Sequence, residues 1–239
     1  MKIYPAIDLK NGVCVRLKMG DMAQVTEYGD PADVALRWQN EGAEYLHVVD
    51  LDAAFAGAFS NREAVKKILK AVDIPVQLGG GVRSMADIRE RLELGIARVI
   101  IGTAAFEAPE LVEEAAARYP GRIVVGIDAK DGRVATRGWA EKTKVSPVLL
   151  AQEMKTRGIR TLIYTDIARD GMLTGPNVSG VRDMAVQTGM EIIASGGMSQ
   201  LEDVQHVAQA GAAGVIIGKA LYTGNIRLAE AIRAGEAAC

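Results

Sequence analysis

The sequence predicts an α/β chain folded as a single (β/α)8 barrel, built from two duplicated half-barrels of about residues 1–120 and 121–239. Three observations carry this. Short apolar runs alternate with helix-period segments from end to end, the pattern of parallel strand–helix units. Eight such units follow one another, the number that closes an α/β barrel, and a chain of 239 residues is an ordinary length for one. The chain also repeats itself. Leu78-Gly79-Gly80-Gly81-Val82-Arg83-Ser84 lies 116 residues before Ala194-Ser195-Gly196-Gly197-Met198-Ser199-Gln200. At the same spacing Asp50 matches Asp166, Asn61 matches Asn177, Asp87 matches Asp203, Gly95 matches Gly211, and Val99-Ile100-Ile101-Gly102 matches Val215-Ile216-Ile217-Gly218. A doubly wound open sheet shows the same alternation, but a repeated half closes more naturally as a ring.

The elements follow in order. The first strand covers residues 2–9, and the apolar run 13–17 forms an extension or hairpin. Residues 20–30 read as a polar mobile loop, with Gly20-Asp21 opening a segment able to close over a ligand. Asp30-Pro31 caps a helix running to about Gly42, with proline at its first position. Residues 44–52 are the second strand, 53–60 a small-residue loop, and Asn61 caps a helix over 62–71. Residues 74–78 feed the first glycine turn and a helix over 84–94; the fourth strand is 98–102, its helix 109–118, and Pro120-Gly121 ends the first half. In the second half, strand 122–128 ends in Gly126-Ile127-Asp128-Ala129-Lys130-Asp131-Gly132, an echo of Ala6-Ile7-Asp8-Leu9-Lys10-Asn11-Gly12 at an offset of 120 residues. A long loop containing Trp139 precedes helix 147–157. Strand 161–167 leads through a loop to a helix capped by Asn177, strands 191–194 and 214–218 follow, and the last helix spans about 226–234.

Composition narrows the function. The chain is 49% hydrophobic and 24% charged, so a large core is available and disorder is not expected. A net charge of −2 without blocks of like charge gives no support to a nucleic-acid or membrane-surface role. No apolar run approaches the roughly 18–20 residues of a spanning helix and no signal peptide precedes the first strand, so a reducing, cytoplasmic setting is expected. Cys14 and Cys239 have no metal-type spacing. His47 lies in the apolar run Tyr45-Leu46-His47-Val48-Val49 and reads as a packed strand residue; His206 reads as a surface residue of a helix. Acid–base chemistry must therefore rest mainly on carboxylates.

In such a barrel the working face lies at the C-terminal ends of the strands, where Asp8, Asp128, Thr165, Asp166 and Asp170 all fall. One strand-end aspartate is more simply a loop or helix cap. Asp8 and Asp128, however, end strands one and five in matched motifs, so they face each other across the mouth, where one carboxylate can serve as base and the other as acid. Glycine turns also serve plain βα geometry. Here each is joined by the end of the next strand: Gly80-Gly81 by Gly102-Thr103, and Ser195-Gly196-Gly197 by Gly218-Lys219. Such pairs pinch a phosphate between backbone N–H groups, and two pairs imply a ligand with a phosphate at each end. Arg83 stands where the second copy has Ser199 and can pair with a mouth carboxylate or with substrate. Trp139 is either a hydrophobic anchor or a stacking platform, and Lys142-Thr143-Lys144 reads as solvated.

On these residues the chain resembles the ProFAR isomerases of histidine biosynthesis. The stretches that carry the resemblance are Pro5-Ala6-Ile7-Asp8-Leu9-Lys10-Asn11-Gly12, Val15-Arg16-Leu17, His47-Val48-Val49-Asp50-Leu51-Asp52, Gly79-Gly80-Gly81-Val82-Arg83, Thr165-Asp166-Ile167-Ala168-Arg169-Asp170-Gly171 and Gly175-Pro176-Asn177. The resemblance spans essentially the whole chain, and residues 168–177 separate it from the sister cyclase, imidazole glycerol phosphate synthase. It implies a TIM barrel, an aminoaldose substrate with two phosphoribosyl ends, an Amadori rearrangement without metal or redox cofactor, and a monomer. It further implies Asp8 as base and Asp128 as acid, with Asp170 a rival acid or positioning group, Thr165 bonding the sugar, and Arg83 and Trp139 holding the carboxamide-imidazole end. Four other readings remain: an isomerase that also accepts phosphoribosyl anthranilate, the cyclase with its glutaminase partner, a flavin barrel, and a phosphosugar-binding module without catalysis.

Overall fold

The computed structural model describes residues 1–18 and 21–237. The first half contains β1 (Lys2–Lys10), β2 (Val13–Lys18), β3 (Asp21–Gly29), α1 (Pro31–Asn40), β4 (Leu46–Asp50), α2 (Leu51–Ala56), α3 (Arg62–Ala71), β5 (Val76–Gly79), α4 (Met85–Leu94), β6 (Arg98–Ile101), α5 (Thr103–Glu107) and α6 (Pro109–Arg118). The second contains β7 (Ile123–Lys130), β8 (Arg133–Thr136), β9 (Glu141–Lys142), α7 (Pro147–Thr156), β10 (Thr161–Asp166), α8 (Val178–Thr188), β11 (Glu191–Ser195), α9 (Leu201–Gln209), β12 (Gly214–Ile217), α10 (Lys219–Tyr222) and α11 (Leu228–Ala237). Eight strands run parallel in the order β1-β4-β5-β6-β7-β10-β11-β12, and β12 pairs with β1 to close the ring. This is the TIM barrel that the alternation predicts. No helix among the described residues is long and apolar enough to cross a membrane.

Strand parity decides which side chains reach the site. Along β1, Ile3, Ile7 and Leu9 pack outward beneath the helices while Tyr4 and Ala6 point into the barrel, so Asp8 points inward too. Along β7, Ile123, Val125 and Ile127 pack outward and Val124 inward, which brings Asp128 inside. The same alternation turns Thr165 inward on β10, where Leu162 and Tyr164 face the helices and Ile163 the interior. Tyr4, Ala6, Ile100, Val124, Ile163, Ile193 and Ile216 plug the barrel below these groups. Above this plug the interior opens at the strand ends into the cavity described below.

Several expectations need correction. Residues 21–29 are not a loop but the strand β3, which pairs antiparallel with β2. Gln24, Thr26, Glu27 and Gly29 are exposed, which hides the strand in the sequence; Gly20 lies outside the described residues. The expected small-residue loop at 53–60 begins inside α2, because the Asp50 carboxylate accepts the Ala53 N–H at 3.0 Å and starts a helical turn. The Trp139 loop holds the short strands β8 and β9, with β8 folded back on β7. Two short helices, α5 and α10, follow the fourth and eighth barrel strands directly. Asn61 does not cap α3 with its side chain. It donates instead to Asp50 at 2.6 Å and accepts the Gly12 N–H at 2.7 Å, tying the β1–β2 turn to the end of β4. Asn177 does cap α8, through Gly180 N–H.

Candidate active site

The barrel mouth opens into a cavity of about 640 Å³, within the usual range for a small-molecule site. Asp8, Asp128, Asp170, Thr165, Arg83, Trp139, Gly80, Gly81, Gly102, Thr103, Ser195, Gly196, Gly197, Gly218 and Lys219 all line it, whereas Asp166, also at a strand end, does not and instead accepts the Asn177 amide at 2.8 Å.

Asp8 and Asp128 sit on β1 and β7, four strands apart around a ring of eight, hence on opposite walls. Their surroundings differ. Asp8 pairs with Arg16, Nη1 to Oδ2 at 2.8 Å, because the β1–β2 hairpin folds Val15 opposite Asp8 and presents the next residue to it. Burial nevertheless lifts the Asp8 carboxyl to about 6, against the lowering pull of Arg16 and with a further upward push from Asp170. Asp128 accepts the Trp139 indole N–H at 2.7 Å and a second hydrogen bond from Thr165, its neighbour across β7 and β10. Burial again raises its pKa; the two hydrogen bonds oppose the rise and the charge of Asp170 adds to it. The Trp139 N–H is thus committed to a carboxylate, a contact that neither the anchor nor the platform reading named.

The glycine turns lie at either side. Gly80 and Gly81 have φ of 104° and 66°, and Gly196 and Gly197 have 90° and 88°, values that glycine adopts without strain. A Cβ on Gly80 would run into the Asp50 carbonyl. Behind the first turn, buried Arg91 donates to the Gly80 carbonyl at 3.0 Å. In the second, Lys219 Nζ donates to the Gly171 carbonyl at 2.9 Å, which holds the ammonium beside the turn and pins the loop after β10. Arg83 makes no ion pair with a mouth carboxylate; its guanidinium lies against Gly57 while its N–H bonds Asp87. Thr103 Oγ1 accepts the Arg137 N–H at 2.9 Å, joining α5 to the Trp139 turn.

The comparisons with known proteins agree with this geometry. The histidine biosynthesis protein family model matches residues 2–227. The 1-(5-phosphoribosyl)-5-((5-phosphoribosylamino)methylideneamino) imidazole-4-carboxamide isomerase, or ProFAR isomerase, of Pelobacter propionicus is 56% identical over 97% of this chain and 96% of its own length. That of Geobacter sulfurreducens is 54% identical over 97% of each, and that of Trichlorobacter lovleyi 53% identical over 100% of this chain and 99% of its own.

The chain belongs to the ProFAR isomerase family.

Beyond the residues expected from this family, the cavity is also lined by Arg16, His47, Phe55, Arg137 and Leu173. Arg16 had a signal in the sequence, since a charged residue inside the apolar run 13–17 must find a partner when the run is buried. His47 is buried on β4, as its apolar neighbours imply, yet parity also turns it to the cavity. Arg137 had no such signal, because a tight turn between two short strands brings it over the mouth.

Proposed function

We propose that this member of the ProFAR isomerase family catalyses the Amadori rearrangement of the aminoaldose ProFAR to the aminoketose PRFAR, with Asp8 as general base and Asp128 as general acid. The observation that carries the reading is the pair of buried, upward-shifted carboxylates facing each other between two glycine cradles in one cavity. Two cradles suit a substrate with a phosphate at each end, and the space between them places the reacting ribose between the aspartates.

Protonated Asp128 gives its proton to the ribose ring oxygen as the C1′–O bond breaks, and the amine lone pair closes a Schiff base at C1′. Asp8, as carboxylate, takes the C2′ proton, and those electrons form the enolamine. The C2′ hydroxyl then loses its proton as C1′ gains one, leaving the ketose. Each proton given or taken is exchanged with an aspartate and the substrate's composition is unchanged overall; a carboxyl poised near 6 can accept and return protons at neutral pH. Thr165 and Trp139 orient the acid, and Asp170 supplies the negative field that keeps the aspartates from ionising too readily. The same reading takes residues 1–120 and 121–239 as copies of one half-barrel, supported by their matched turns.

The test is turnover of ProFAR and of phosphoribosyl anthranilate by the wild-type chain and Asp8→Asn. ProFAR turnover by the wild type, lost by at least ~10²-fold in the variant, is the expected result. Turnover of both substrates would extend the same aspartate pair to a second substrate. Turnover of neither would overturn the enzyme reading and leave a phosphosugar-binding barrel.

A further inference from the structure

The barrel interior below the mouth is apolar except on one side. There His47 on β4, Gln77 on β5 and Arg98 on β6 form a chain of buried or half-buried polar side chains. Arg98 Nη2 donates to Gln77 Oε1 at 2.6 Å and to the Tyr4 hydroxyl at 3.1 Å, and its guanidinium lies over the Tyr45 ring at 4.6 Å. Gln77 Nε2 lies 3.0 Å from His47 Nδ1. At the spacing of 116 residues the second half has Ile163 and Ile193 in place of His47 and Gln77, and both pack into the interior plug. Apolar side chains therefore fill these positions well. A buried polar chain is costly to desolvate and adds little stability over such packing. Its retention on one side needs another reason.

The hydrogen-bond directions supply it. Arg98 can only donate, so the Gln77 atom facing it is the carbonyl oxygen, and the Gln77 amide nitrogen must face His47. That amide donates, so His47 Nδ1 accepts, and the neutral ring carries its proton on Nε2. Burial, with Arg16 and Arg98 nearby, holds the His47 pKa at about 3, so the ring stays neutral throughout the working pH range. His47 lines the cavity whereas Gln77 does not, so the ring edge turned away from Gln77 is the one that meets a ligand.

We infer that Gln77 and Arg98 are positioning residues that lock His47 in its Nε2–H tautomer, and that this N–H is a fixed donor to an oxygen of the bound sugar. The donor half rests on the proposed function; the tautomer half does not. Neutral His47, with Nδ1 occupied, cannot compete with Asp8 for the C2′ proton. It can hold a hydroxyl or developing carbonyl oxygen beside it, where a preorganised donor favours the transition state.

Long-range ¹H–¹⁵N spectra of the full chain with labelled histidine test the first half. The chain has two histidines, and exposed His206 on α9 serves as the reference. The expected spectrum shows His47 neutral and protonated on Nε2 at pH 7, switching to Nδ1–H or imidazolium in Gln77→Glu, a near-isosteric change that replaces the donor with an acceptor. A wild-type Nδ1–H tautomer, or no change in the variant, would overturn the relay. For the second half, His47→Ile, which installs the residue of the matched position, should lose tenfold or more in ProFAR kcat/KM. His47→Gln, whose amide nitrogen reaches close to the Nε2 position, should stay within about threefold of wild type. Equal activity of His47→Ile and wild type, or equal losses in both variants with the fold intact, would remove the donor role. If the wild-type chain fails to turn over ProFAR, the donor role falls with the proposed function, and the spectra still decide the tautomer.

Discussion

The two half-barrels share a frame and differ in what fills it. At an offset of 120 residues, Asn11 and Asp131 both have φ of 51° and are followed by left-handed Gly12 and Gly132, so the β1–β2 and β7–β8 hairpins turn alike. Asn61 donates to Asp50 at 2.6 Å; its counterpart Asn177 donates to Asp166 at 2.8 Å. The backbone after each glycine turn is held the same way, Arg83 N–H by Asp87 at 3.0 Å and Ser199 N–H by Asp203 at 2.9 Å. The side chains around the mouth are where the two halves part. Arg16 is matched by Thr136, Arg91 by Val207, His47 by Ile163, and on the other side Thr165 by Val49 and Asp170 by Ala54. One frame thus presents two opposed carboxylates, with a cation beside the first and neutral donors beside the second. That asymmetry can give equivalent positions different protonation roles.

The sharpest way to break the comparison is to exchange the carboxylates. Asp8→Asn and Asp128→Asn should each lower kcat by about 10²–10⁴-fold in a steady-state ProFAR assay. The double variant should lose much less than the product of the two, because groups serving one proton circuit fail together. Fully multiplicative losses would mean that the two aspartates work in separate steps.

The glycine turns should differ in tolerance. A Cβ on Gly80 meets the Asp50 carbonyl head-on, with two more Asp50 backbone atoms at 2.9 and 3.1 Å. On Gly196 it meets the Asp166 carbonyl at 2.8 Å and little else within 3.5 Å. Both positions also carry positive φ. Gly80→Ala should therefore cost about 3–5 kcal/mol in urea unfolding and Gly196→Ala about 1–2 kcal/mol. Equal costs would mean that the turns yield equally and that the closer packing of the first has no consequence.

Arg91 gives a smaller, directional effect. It is fully buried, donates to the carbonyls of Gly80 and Asp87 at 3.0 Å each, and stacks on Phe59 at 4.5 Å; the matched position behind the second turn is Val207. By bonding the Gly80 carbonyl it fixes the peptide plane that also carries the Gly81 N–H, the donor that the proposed phosphate cradle would use. Arg91→Met should raise KM for ProFAR by about tenfold and change kcat by less than about twofold. A fall in kcat with KM unchanged would place Arg91 outside phosphate binding.

The barrel was legible because eight alternations of an apolar run with a helix-period segment can be counted along this one sequence. The mouth residues were legible because strand-end aspartates and glycine turns occur in matched sets. What stayed hidden depends on contacts between distant segments. In Asp21–Gly29 the exposed Gln24, Thr26, Glu27 and Gly29 break the apolar pattern, so the stretch reads as a loop although it pairs with β2. Asn61 follows the usual form of a cap, but a buried carboxylate from β4 competes for its side chain and wins. His47 reads as core and is core, and only the neighbours at Gln77 and Arg98 give its ring a direction. Arg16 is legible as a misplaced charge, while its partner is legible only once the hairpin is folded.

That partner yields the finest test of the asymmetry. Asp8 must be ionised to take a proton, so kcat/KM should fall as pH drops through its folded pKa, about 6. Burial sets that value high, Arg16 holds it down and Asp170 pushes it up. Arg16→Met removes the restraint and leaves the other two influences, so the acid limb of the pH profile should move upward by roughly a unit. The sign of the stability effect follows from the same shift. A carboxyl raised above its unfolded value stabilises the fold while protonated and loses that contribution as pH rises towards the folded pKa. With the folded pKa higher still, Arg16→Met should carry that loss to higher pH, so its stability relative to wild type should decline between about pH 6 and 7 and level off above. An acid limb that stays near 6 in Arg16→Met would assign that limb to a group other than Asp8, and the carboxylate on the opposite wall, with its neutral donors, would become the leading candidate for the base.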